Sequence, residues 1–200
     1  MKLKLLLLAP VFALPLAFRS PTPAAAPLRA SASAAGWKID PVHSTVLFKI
    51  KHVGTSYTLG RFNGISGALE YDPASFGSSK ITVEIDPSTV DTNCKPREDH
   101  LRSPDFFSVK EFPKISFAST KVEGSADKFT LTGDLTLHGV TKSIHFSAEK
   151  VGESDIKEMG GPRVGFFAQT TIKRSDFGMK NMLEGASDEV GLTLALELTH

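Results

Sequence analysis

The chain has 200 residues, with 23 Lys and Arg against 22 Asp and Glu and a formal charge of +1. That near-balance argues against a nucleic-acid partner bound through a basic face, and it gives no reason to expect an anionic membrane surface as partner. The 14 Phe against one Trp and two Tyr favour a dry interior, because Phe buries no polar atom that needs a partner; a solid core and an apolar tunnel both fit.

The chain opens on "MKLKLLLLAPVFALPLAF". Lys2 and Lys4 precede an apolar run over residues 5–18, shorter than the stretch of about 20 that spans a bilayer and interrupted by Pro10 and Pro15. This is the pattern of a secretory signal peptide rather than of a stable membrane insertion. Small residues at Ala30, Ala32, Ala34 and Ala35 offer cleavage sites after a Pro/Ala/Ser-rich stretch. Residues 1–35 are therefore expected to be signal peptide and leader, residues 36–200 the folded domain, and the protein exported, either periplasmic or secreted. The single cysteine, Cys94, cannot form an internal disulfide, so the fold must rest on its core.

From Trp37 onward the dominant period is two. "STVLFKIKH" puts Val46, Phe48 and Ile50 on one face, and "SKITVEID" does so for Ile81, Val83 and Ile85. Phe117 in "KISFAST", Leu135 in "KFTLTGDLTLH", and Ile144, Phe146 and Ala148 in "KSIHFSAEK" follow the same rule. So do Phe166 and Ala168 in "RVGFFAQTTIK" and Leu194 in "EVGLTLALELTH". Strict alternation is the mark of antiparallel strands with one face inside and one in water. "TLGRFNGISGALEY" holds Gly60, Gly64 and Gly67, and glycines within a strand suggest the bends that barrel closure needs. "YDPASFGSS", "STVDTNCKP", "VEGSADK" and "GESDIKEMGGP" read as connections. Only "NCKPREDHLRSPDFF" breaks the pattern: a short helix opening at Pro96 and ending near Arg102, before Pro104. About eight strands and one short helix suggest a barrel or a sandwich.

Familiar catalytic and metal-binding patterns are absent: no H-E-x-x-H, no C-x-x-C, no G-x-S-x-G and no phosphate-binding glycine loop. No catalytic residue, no metal and no cofactor is expected. His138 precedes Gly139, which suits a tight turn; it reads as a turn residue, with catalysis and metal binding as the alternatives.

The blocks "IDPVHSTVLFKIKHV", "GRFNGISGALEYD", "REDHLRSPDFFSVKEFPKISFAS", "LTGDLTLHGVTKSIHF" and "KRSDFGM" resemble, in order, the successive blocks of the YceI-like family. The resemblance covers essentially all of residues 37–200. It implies an all-β fold, an extended eight-stranded antiparallel lipocalin-like barrel with one short helix. It also implies an exported protein that holds a polyisoprenoid or another long-chain lipid. The polar residues that match the family motif are His43, Arg61, His100, His138 and Arg174. Ser108 and Ser143 depart from the pattern, where Asp and Pro are common, and neither touches the interior face. On this reading Val46, Phe48, Ile50, Phe62, Ile81, Val83, Phe117, Leu135, Phe146, Phe166, Ala168 and Leu194 line the ligand, with spare room beside Ala148 and Ala168.

The physics agrees. Each buried methylene contributes about 0.8 kcal/mol, so a five-carbon unit is worth about 3–4 kcal/mol. A few units then offset an association cost of roughly 4–15 kcal/mol. The rival readings are an enzyme that acts on such a lipid through His100 or His138, and a structural barrel with a filled core. The partner implied is a hydrophobic small molecule; the oligomeric state is left open, a homodimer being one arrangement allowed.

Overall fold

The computed structural model describes residues 36–71 and 73–200; the expected signal peptide and leader lie outside them. The chain forms β1 (Trp37–Ile39), β2 (Thr45–His52), β3 (Ser56–Glu70), β4 (Lys80–Asp91), α1 (Lys95–Arg102), β5 (Ile115–Ser125), β6 (Lys128–Leu137), β7 (Val140–Ile156), β8 (Gly161–Lys173) and β9 (Ala186–Thr199). Each of β2 to β8 pairs antiparallel with the next strand, and β9 returns to β2, so eight strands close a ring. Closure removes the free edges that an open sheet would expose.

The expectation of an eight-stranded lipocalin-like barrel is met, with one addition. The three-residue β1 pairs with both β3 and β9, filling the gap beside the start of β2. Three residues are too few to carry a period. Three strand ends also differ from the sequence expectation. Strand β7 runs through "VGESDI" to Ile156, where a connection was expected, and pairs there with the start of β8. This arm is exposed on both faces from Val151 to Ile156, so nothing imposes alternation on it. Likewise β4 continues to Asp91 and β5 to Ser125.

The inward faces meet in register. Val46 opposes Phe62 and Leu194, and Ala168 opposes Ala148 and Leu194. Gly60 and Gly133 also face inward, and their missing side chains make room for rings. A Cβ on Gly60 would come within 2.1 Å of the Phe48 ring, and one on Gly133 within 2.4 Å of the Phe117 ring. Glycine in these strands thus trades strand propensity for aromatic packing across the barrel.

The barrel has two distinct ends. The β2–β3 turn, the α1 connection, the β6–β7 turn and the β8–β9 loop gather at one; the β3–β4, β5–β6 and β7–β8 connections gather at the other. Helix α1 matches the expected span. It buries no residue completely and is held by polar ties instead. Glu98 accepts the backbone N–H of Cys94, the N-cap, at 3.0 Å and that of Thr92, just before it, at 2.8 Å, which closes the helix start on the end of β4. Arg102 donates to the carbonyls of Ser88 and Val90 on β4 at 2.6 and 3.0 Å.

Candidate functional site

A cavity of about 360 Å³ occupies the barrel beneath α1. Its walls come from the inward positions of the strands: Val46, Phe48 and Ile50 on β2, Phe62 on β3, Val83 on β4, Phe117 on β5, Leu135 on β6, Phe146 on β7 and Leu194 on β9. A smaller cavity of about 50 Å³ lies toward the other end, lined by Ile81, Val83, Phe117, Phe146, Phe166, Ala168 and Leu194 among others. The structure therefore brings all the apolar residues singled out in the sequence around one interior, divided into a wide chamber and a narrow one. Val83, Phe117, Phe146 and Leu194 line both. The spare room expected beside Ala148 and Ala168 is small, because both line only the narrow chamber.

Polarity changes along the axis. In the wide chamber the polar lining residues include His52, Thr92, Arg97, His100 and Arg174, all at the α1 end of the strands. The narrow chamber has only Tyr71 and Ser79 as polar lining residues, and Tyr71 accepts a hydrogen bond from Lys150 at 3.3 Å. An amphipathic guest would meet charge at one end and hydrocarbon at the other.

The polar motif residues separate by role. Arg174 is 4% exposed and donates to the carbonyls of Met179, Asn181, Ala186 and Ser187 at 2.7–3.0 Å. It fastens the whole β8–β9 loop from within. Burial pulls its guanidinium below the ordinary value, and the Asp188 carboxylate opposes that shift. His100 lines the wide chamber, sits 3.0 Å from Asp105 and packs edge-on against Phe106. His43, Arg61 and His138 stand away from both cavities. Arg61 is exposed on β3, opposite Asp91. The His138 ring donates through Nδ1 to the Phe177 carbonyl at 3.1 Å and packs on Phe112. His138 and Gly139 form the two-residue β6–β7 turn, with φ of 52° and 72°, as a hairpin turn of the type I′ class requires.

His43, Asp40 and Glu197 gather within 4.8 Å on the outside of the barrel. Arg163 ion-pairs with both Asp40 and Glu197, so a guanidinium already supplies the positive charge there. The His43 hydrogen bond at 2.8 Å, followed by the Val42 N–H, holds the Asp40 carboxyl at about 2.

Strand periodicity does not mark the part of the wall that comes from the connections. Leu101, Phe106, Phe107, Met179 and Met182 all line the wide chamber. The only signal for them was the apolar content of "DHLRSPDFF" and "FGMKNML" within otherwise polar segments. No helix among the described residues is long and apolar enough to cross a membrane.

Comparison with known proteins agrees with this architecture. The YceI-like domain matches residues 37–198. A UPF0312 protein of Pseudomonas aeruginosa is 42% identical over 168 residues, covering 83% of this chain and 87% of that protein. BcnA of Burkholderia cenocepacia shares the fold with a TM-score of 0.72 at 24% identity, over 80% of this chain and 99% of that one. A polyisoprenoid binding domain from Saccharophagus degradans shares it with a TM-score of 0.62 at 17% identity, over 81% of this chain and 97% of that one.

Proposed function

The chain belongs to the YceI-like family, and from that premise we propose that it is an exported protein that holds a polyisoprenoid or another long-chain lipid inside its barrel, storing, carrying or shielding it. The observation that carries the reading is the apolar chamber of about 360 Å³. An empty apolar space in a folded protein forfeits contacts that a well-packed core would keep. A hydrocarbon guest restores them and needs no polar recognition along its length. The solved polyisoprenoid binding domain with the same fold supports this class of guest.

The polar end suits a head group beside Arg97 and His100, with the tail running toward Phe117 and Phe146. The reading is of binding without turnover. His138 is committed to a turn and lines neither chamber, and His100 pairs with an exposed carboxylate at the mouth. The test is titration of delipidated protein with a polyprenol presented in detergent micelles. Saturable one-to-one binding supports the reading; no uptake of any polyprenol or long-chain lipid contradicts it. Export is tested by intact mass. The processed protein should begin between Ser31 and Gly36, and a membrane-bound product that still carries residues 1–18 would overturn that part.

A further inference from the structure

We propose that the rim of the wide chamber is a docking surface for a phospholipid bilayer, so that a lipid guest passes into the barrel without crossing water; this rests on the binding reading above. The rim joins the β2–β3 turn to the β8–β9 loop, and the Val53 N–H donates to the Gly185 carbonyl at 2.8 Å. It presents Val53, Met182 and Leu183, which are 53%, 55% and 41% exposed. Met182 also lines the chamber, as do the neighbouring His52, Gly185 and Ala186. The exposed apolar surface and the apolar interior are thus continuous through the mouth.

The backbone makes this exposure hard to explain by folding alone. Val53 and Met182 both hold positive φ, 39° and 52°. Glycine or asparagine occupies such positions at lower cost, and a β-branched residue is among the worst choices. The loop is not loose: Arg174 ties the carbonyls of Met179, Asn181 and Ala186, and the N–H groups of Gly185 and Ala186 return to the Met182 carbonyl. Side chains held in strained conformations by a rigid frame, and left in water, point to a contact made elsewhere. Lys51 and Lys180 flank the patch, against Glu184, and all three are exposed. Shallow insertion of apolar side chains with lysines at the headgroup level is the pattern of reversible interfacial binding.

The experiment uses the exported, processed protein and vesicles of phosphatidylethanolamine and phosphatidylglycerol carrying a fluorescent polyprenol. Three quantities are read: flotation with the vesicles, loading from vesicles and loading from detergent micelles. The variant combines Val53→Asn with Leu183→Gln, neither of which lines a chamber. Flotation and vesicle loading should fall about tenfold, while micelle loading stays at the wild-type level. Val53→Asn alone should melt no lower than wild type, since asparagine tolerates the left-handed backbone. Equal flotation and vesicle loading in the two proteins would overturn the proposal. So would a change in elution volume on gel filtration, which would assign the patch to a second copy of the chain. Wild type that loads from micelles but never floats would overturn the docking proposal and leave the binding reading standing; a wild type that loads from neither source would remove both.

Discussion

Phe117 and Phe146 pack edge to face with ring centroids 5.4 Å apart, and both rings line the wide chamber and the narrow one. With Val83 and Leu194 they form the partition between two spaces of very different size. Volume added on one side of that partition should have a different cost from volume added on the other.

Val190 is half-buried and lines the wide chamber. Val190→Phe should cost under about 1 kcal/mol in the unliganded protein, because the ring enters open space rather than a packed core. Bound lipid should fall sharply. Ala168→Phe should behave in the opposite way. An apolar cavity needs about 150 Å³ to hold a benzene ring, and the narrow chamber offers about 50 Å³. Overpacking there should cost about 1–3 kcal/mol. Melts of delipidated protein and the lipid-to-protein ratio after refilling check both variants. Equal destabilisation by the two would mean that the wide chamber has no spare room.

Arg174 should be the most sensitive of the polar motif residues. Arg174→Met removes a buried guanidinium and leaves its carbonyl partners short of a donor, at a cost of about 3–5 kcal/mol. Arg174→Lys should recover only part of this, since an ammonium cannot reach four carbonyls arranged around a planar fork. Denaturant unfolding measures both, and full recovery by lysine would show that charge alone, without geometry, holds the loop.

The β6–β7 turn separates its two residues. A Cβ on Gly139 would meet the Phe112 ring at 2.5 Å, at a φ of 72°. Gly139→Val should therefore cost at least about 2 kcal/mol, from backbone strain together with the displaced ring. His138→Ala loses one hydrogen bond and a ring contact, about 1 kcal/mol, and should leave lipid binding unchanged. Thermal melts and polyprenol titration of the two variants decide it; a loss of binding in a folded His138→Ala protein would restore the catalytic or ligand-contacting alternatives for that histidine.

Asp40 supplies a pH dependence of defined sign. Its side chain is 14% exposed, and its carboxyl is lowered from 3.8 to about 2, first by the His43 hydrogen bond and then by the Val42 N–H. A depressed value in the folded state stabilises the protein above pH 3.8, and that stabilisation is lost as pH falls through about 2. Discounted for solvent screening, it is worth about 1 kcal/mol. Melting temperature should fall less steeply over this interval in Asp40→Asn than in wild type. Parallel profiles would mean that the carboxylate is no better placed in the fold than in the unfolded chain.

The barrel was legible in the sequence wherever a strand has water on one face and the interior on the other. Strands β2, β6, β8 and β9 alternate cleanly for that reason, and the twelve apolar residues singled out in the sequence, with Phe62 on the irregular β3 among them, all reach the interior. The far arm of β7 was not legible, because Val151 to Ile156 have water on both sides and no face to mark. The wall contributed by Phe106, Phe107, Met179 and Met182 was hidden for a different reason. These residues lie in connections whose path is set by Arg102 and Arg174 bonding to carbonyls outside their own elements, and periodicity does not encode such ties. Arg174 itself was visible as a motif residue, but its almost complete burial follows only from tertiary contacts. The split into two chambers depends on the Phe117 and Phe146 rings, whose room comes in part from Gly133, a residue whose sequence signal is only an interruption of the strand.

Whether the interior holds a long-chain lipid is read from organic-solvent extraction of freshly purified, exported protein followed by mass spectrometry of the extract. A lipid-binding role predicts a polyisoprenoid or another long-chain lipid at a stoichiometry approaching one per chain, and its depletion from Val190→Phe purified in the same way. Protein that is folded, yields no lipid and takes none up from micelles would contradict it and leave a barrel whose cavity serves another purpose.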